Sequence, residues 1–314
     1  MTIEKELVLP QGSLYYEVHG EEAVITRLSG MVNELQIPEL LDGAAVTGIA
    51  KKAFLSKKQM RKVVLPASLK ELGDWAFAYC SRLEEVVLPG KALGLGKAPF
   101  MECVKLRRLV VASGERRTVG EGVLSGEKSA DEDRDLSECA ELLAAAVRVF
   151  EAYYLLDPSQ VGNAEWLAKW DARLIAFLRA DDHEGYSKQV LCGEEDYGST
   201  DLEAFLTNKR KGKVRMCYLR LLNPVGLSEE LRGELERYLL GNEKDSWEVI
   251  REEYGEERRY YQLFAEVGCL TEENFDQVIG EIGEDYPEMK AYFLKYKEEN
   301  MGYKDFFEGL SLDL

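Results

Sequence analysis

The chain has 314 residues, 40 Lys+Arg against 58 Asp+Glu, a net charge of −18 and a hydrophobic fraction of 46%. This is globular composition with room for one large domain or two average ones, and it excludes a disordered chain, a collagen-like chain and a compact disulfide scaffold. A field this negative repels polyanions, which argues against general binding to nucleic acid or to an anionic membrane.

The charge is unevenly spread. Residues 1–128 hold 18 basic and 16 acidic side chains, whereas residues 129–314 hold 22 basic and 42 acidic ones. A near-neutral half followed by an acidic half predicts two domains. The N-terminus MTIEKELVLP carries acids where a signal peptide has a basic start and a long apolar run. No apolar stretch approaches the ~18 residues of a membrane span. The six cysteines form no CxxC pair, and His19 and His183 are the only histidines, so no metal site and no cofactor are expected. Scattered thiols and the missing leader together predict a cytoplasmic protein.

In chain order, residues 13–43 read as β-rich. A repeat of period 23 follows: Ala53-Phe54 recurs as Ala76-Phe77 and as Pro99-Phe100, and Leu65-Pro66 recurs as Leu88-Pro89. Met60, Leu83 and Leu106 superpose, as do Val63, Val86 and Leu109, and Cys80 superposes on Cys103. Leu35-Gln36-Ile37-Pro38 fits the same strand slot after a five-residue insertion. The units VTGIAKKAFLSKKQMRKVVLP, LKELGDWAFAYCSRLEEVVLP and ALGLGKAPFMECVKLRRLVVA resemble the BspA-like subfamily of leucine-rich repeats over about residues 13–112. Lys57 departs from that pattern at a Cys position, Pro99 at an Ala position and Ala50 at a Gly position. The resemblance implies a bacterial interaction protein built on a short solenoid. One such unit cannot bury its apolar face alone, so neighbours must stack, and each end needs a cap: the lead-in hairpin at one end, the helical half at the other.

If Val63 and Leu65 point inward, Lys62 and Val64 point outward. The register then predicts one outward column of Glu34, Lys62, Glu85 and Arg108, alternating in charge, and a second of Gln36, Val64, Val87 and Val110. The three valines, flanked by Lys62, Glu85 and Arg108, are the candidate partner face. A structural reading of the same ladder is that valine is a good strand former, or that the helices cover it.

Residues 115–135, rich in Gly, Ser and charge, read as a linker between a repeat domain at 1–114 and an acidic helical domain at 136–314. Leu136, Ala140, Leu143, Val147, Phe150 and Tyr154 share a helical spacing that Asp157-Pro158 ends, with Ser129-x-x-Glu132 as a capping box. Trp166, Trp170, Leu174, Phe177 and Leu178 predict a second helix, and one or two more fill Asp201 to Leu222. Ser228 and Thr271 each precede two glutamates and an apolar run closed by Gly241 and Gly283. A helical bundle and a short α-solenoid both fit, so the fold class is α+β.

Several motif look-alikes carry no chemistry. Gly94-Leu95-Gly96-Lys97 falls in the repeat and lacks the Ser/Thr of a phosphate loop. The basic ridge of Lys51, Lys52, Lys57, Lys58, Arg61, Lys62, Arg107 and Arg108 lacks the aromatic interleaving of a nucleic-acid site. Asp181-Asp182-His183-Glu184 reads as a loop, because adjacent residues rarely converge on one ion. The expected function is protein–protein interaction through the valine ladder or the inter-domain groove, with no catalytic set. The alternative is an enzyme or small-molecule site in the helical half, around Trp166, Trp170 and the segment 193–197, or at the domain interface.

Overall fold

A computed structural model describes residues 3–112, 136–186 and 202–301. The described residues fall into two compact units, Met1–Ile175 and Ala176–Leu314.

The first unit opens with an antiparallel meander, β1 (Lys5–Leu9), β2 (Gly12–His19) and β3 (Glu22–Gly30). The chain then winds into a solenoid. One wall holds β4 (Glu34–Gln36), β7 (Lys62–Val64), β9 (Glu85–Leu88) and β11 (Arg108–Val111), all parallel, in the spatial order β11-β9-β7-β4. The other wall continues the meander: β3 pairs β6 (Ala44–Ile49) in parallel, followed by β8 (Glu71–Leu72) and β10 (Gly94–Leu95), with β5 (Leu40–Leu41) paired to β6. The lead-in thus starts one wall of the stack, as the cap expected of it would.

The core between the walls follows the repeat. Met60, Leu83 and Leu106, and Val63, Val86 and Leu109, are all buried. Phe54 stacks on Phe77 at 4.7 Å and Phe77 on Phe100 at 5.6 Å, nearly parallel in both cases. Cys80 donates its thiol to the Phe54 carbonyl and Cys103 to that of Phe77, both at 3.1 Å. Burial pushes the two thiols up, to about 11 and about 12. They are core donors rather than nucleophiles.

Each turn passes through the same two left-handed corners. Lys52, Trp75 and Ala98 have φ of 61°, 53° and 41°, and Ser56, Tyr79 and Glu102 have φ of 58°, 60° and 56°. Non-glycine residues tolerate this conformation only where surrounding contacts enforce it. Here the chain above does so: Lys52 N–H donates to Asp74 O, Phe54 N–H to Ala76 O, Trp75 N–H to Lys97 O and Phe77 N–H to Pro99 O.

The expected linker at 115–135, with its Ser129 capping box, lies outside the described residues. A 3₁₀ turn, Leu136–Cys139, leads into α1 (Ala140–Arg148). α1 packs on β11, the last strand of the solenoid, and Arg148 Nη1 donates to Val104 O at 3.3 Å. Leu142, Leu143, Val147 and the run Ala144-Ala145-Ala146 are buried, small side chains allowing close approach. The helical spacing carried through Tyr154 is not realised: α1 stops at Arg148, Glu151 turns left-handed at φ 50°, and Tyr154 stands 65% exposed in a 3₁₀ turn, Tyr153–Leu155. The reversal brings α2 (Ala164–Arg179) back, so that Trp170 donates its indole N–H to Leu142 O and meets Phe150 edge-on.

The second unit holds the end of α2 and six further helices among the described residues: α3 (Leu202–Leu222), α4 (Glu229–Gly241), α5 (Glu243–Glu253), α6 (Arg258–Val267), α7 (Phe275–Ile282) and α8 (Pro287–Asn300). Ser228 caps α4, its hydroxyl accepting from Leu231 N–H. Thr271 does not cap a helix at Glu272: it closes a turn with Asn274, Thr271 Oγ1 accepting from Asn274 N–H and Asn274 Oδ1 from Thr271 N–H, and α7 starts only at Phe275. Trp247, Tyr261, Phe264 and Phe293 make an aromatic core.

Candidate functional site

The outward side of the β4-β7-β9-β11 wall carries the residues singled out by the repeat. Pairing aligns Glu34 with Lys62, Glu85 and Arg108, and Gln36 with Val64, Val87 and Val110. Period-2 alternation produces this, since Val63, Val86 and Leu109 between the columns are buried. The charged column closes on Glu85, whose carboxylate meets Lys62 Nζ at 2.7 Å and Arg108 Nε at 3.3 Å. The Glu85 carboxylate holds the Lys62 ammonium above its usual value. Exposed pairs of this kind contribute only ~0.2–1 kcal/mol each, so they set register more than stability. Val64, Val87 and Val110 are half-buried and form a continuous aliphatic strip beside the charges.

The basic ridge divides in space. Lys51 and Lys52 lie at the left-handed corner, with their ammonium groups 4.9 and 5.5 Å from the Trp75 ring centre. Arg61 and Arg107, in contrast, enter the strands of the candidate face, stacked with Glu84 through Glu84 N–H to Arg61 O and Arg107 N–H to Glu84 O. Arg82, in the stretch leading into β9, donates to Gln59 Oε1 at 2.9 Å. Arg82 and Lys105 were missed in the sequence, although stepping 23 residues from Gln59 reaches both.

The alternative site is not assembled around its two tryptophans. Trp166 and Trp170 are buried, and their indole N–H groups are already donated to Leu155 O and Leu142 O, both at 2.8 Å. Residues 193–197 lie outside the described residues. His19 is exposed beside Glu17 at 3.3 Å, and His183 is exposed beside Asp181 at 3.1 Å. No three His, Cys, Asp or Glu side chains among the described residues converge as metal ligands. No helix among them is long and apolar enough to cross a membrane.

Several ion pairs tie the helices of the second unit together. Lys211, nearly buried on α3, lies 3.0 Å from Glu248 and 2.9 Å from Glu252 of α5. Arg210 pairs with Asp245 at 2.9 Å, and Arg215 with Glu253. Lys213 bridges Asp182 and the Ala180 carbonyl, each at 2.6 Å. Arg220, fully buried, donates to the carbonyls of Asn223 and Val225 beyond the end of α3.

Residues 33–132 match a family model described as the BspA type leucine rich repeat region, in six copies, and the helical half has no family match. A leucine rich repeat protein from T. pallidum is similar at 28% identity over 34% of this chain and 53% of its own, with a TM-score of 0.29. A leucine rich cell surface protein from Faecalibacterium prausnitzii A2-165 is similar at 22% identity over 34% of this chain and 30% of its own, with a TM-score of 0.28. The chain therefore spans about half or less of the two solved proteins it resembles. No curated protein matches it.

Proposed function

We propose that this chain, which carries BspA-type leucine-rich repeats at residues 33–132, is a non-catalytic protein-interaction module whose partner binds the outward face of the β4-β7-β9-β11 wall. The observation that carries the reading is the in-register column of Val64, Val87 and Val110, half-buried and flanked by the Lys62–Glu85–Arg108 column. A rigid aliphatic strip bordered by charge has the composition of an interface, with an apolar centre and a polar rim. Rigidity matters because a preformed surface has little ordering entropy left to lose on binding. The thiols of Cys80, Cys103, Cys217 and Cys269 are buried and form no disulfide, which supports a reducing, cytoplasmic setting.

The test compares wild type with Val64→Glu/Val87→Glu in a pull-down read by mass spectrometry, after circular dichroism has checked both folds. A protein captured by the wild type and lost by the variant supports the reading. Equal capture by both moves the binding surface elsewhere.

A further inference from the structure

The partner face is strongly basic on a strongly acidic chain. The three stretches that lead into and form β7, β9 and β11, residues 57–64, 80–87 and 103–110, hold eight basic and two acidic side chains, and β4 adds one acid, Glu34, against −18 for the whole chain. One acid, Glu85, is already shared by Lys62 and Arg108. Arg82 is hydrogen-bonded to a neutral partner, Gln59. Lys58, Arg61 and Lys105 are exposed and take no ion pair among the described residues. Concentrating uncompensated positive charge beside an aliphatic strip costs free energy in the isolated protein, and an anionic partner removes that cost.

We propose that this face docks a short acidic segment of another protein that also bears aliphatic side chains. The inference rests on the interaction reading above and specifies the partner's chemistry. Two strand spacings place the three valines over about 10 Å, enough for two or three aliphatic side chains of a helix or an extended chain. Arg61 lies three residues upstream of Val64, again about 10 Å along the chain, where a carboxylate of the segment would sit. A nucleic acid suits the face less well. None of these three stretches holds an aromatic ring for stacking bases, the valines offer nothing to a sugar–phosphate chain, and the whole-molecule field repels a long polyanion far more than a short acidic peptide.

The test selects peptides from a random dodecapeptide display library on the full chain at low salt, then measures the winners by fluorescence anisotropy. The expected winners carry net negative charge and at least two aliphatic residues. Arg61→Glu/Lys105→Glu should weaken them about 10-fold or more, as should a rise to physiological salt. Lys51→Glu/Lys52→Glu, basic residues at the other corner, should change affinity less than about 2-fold at that salt. Urea unfolding of each variant controls for loss of fold.

Neutral or basic winners that Val87→Glu abolishes and the charge reversals leave intact overturn the acidic partner while sparing the interaction face. Winners indifferent to both kinds of variant, or no winners at all, overturn both. Self-association of the full chain that Arg61→Glu abolishes makes the occupant a second copy and overturns the proposal. Tighter binding of single-stranded DNA of the same length than of any selected peptide also overturns it.

Discussion

Gly73 and Gly96 stand one repeat apart where successive turns approach most closely. A Cβ at Gly73 would lie 2.6 Å from the Lys51 nitrogen, and one at Gly96 would lie 2.3 Å from the Asp74 nitrogen, both backbone atoms that cannot swing aside. Ala50, at the same slot of the first unit, follows β6, which pairs with β3 of the meander instead of with an earlier repeat turn. Gly96→Ala should therefore cost about 1–3 kcal/mol, read as a lowered urea midpoint, whereas Ala50→Gly relieves no clash.

Glu281 makes the opposite kind of residue-scale argument, through hydrogen bonds. Gln277 donates to one carboxylate oxygen at 2.9 Å, and Trp247 Nε1 to the other at 2.6 Å, with Arg251 3.4 Å away. Hydrogen bonds from Gln277 and Trp247, opposed by partial burial, hold the carboxyl below its ordinary 4.5. A group depressed in the folded state contributes stability that is complete above its unfolded value and is lost as pH falls through the folded one. Glu281→Gln should therefore lower the melting temperature at neutral pH, and the gap to wild type should narrow as pH drops below 4.5. A gap that stays constant with pH would show that the charge contributes nothing.

At the scale of elements, the solenoid is held by ladders more than by its strands, which run for only two to six residues within the repeats. The rings of Phe54, Phe77 and Phe100 give each turn a common floor. Phe77 occupies the middle and touches both neighbours, so Phe77→Ala removes two stacks and leaves a cavity. The expected loss is about 3–5 kcal/mol in chemical unfolding, more than at Phe100, which stacks on one neighbour among the described residues. In the helical unit the bonding element is different in kind. α3 carries its basic residues against Asp245, Glu248, Glu252 and Glu253 of α5, a charged seam whose partners are widely separated in the chain. Helical periodicity in α3 is correspondingly weak, since Lys211, Lys213 and Arg220 are buried among its apolar residues.

On the scale of the whole chain, the open end of the solenoid is the feature with the clearest consequence. Leu109 and Val111 of β11 are buried, and α1 packs on that strand. A fragment ending at Ala112 should lose cooperative thermal unfolding and bind hydrophobic dyes, because its last apolar face is wet. A fragment ending at Ala180 keeps α1 and α2 and should melt cooperatively. Equal behaviour of the two fragments would show that the helices contribute nothing to the stack.

The solenoid was legible before any coordinates because its information is local and repeated. A 23-residue period places Val64, Val87 and Val110 in one column whatever lies elsewhere, and strand alternation alone decides that Lys62, Glu85 and Arg108 share their side. The cap at Ser228 was legible for the same reason, needing only three neighbouring residues. What folding in three dimensions settled is whatever joins distant stretches of chain. The return of α2 onto α1 through Trp170 and the pairing of α3 with α5 depend on contacts between residues 28 to 41 positions apart. No period marks such contacts, because each forms once, and its energy appears only when both partners have been carried to the same place.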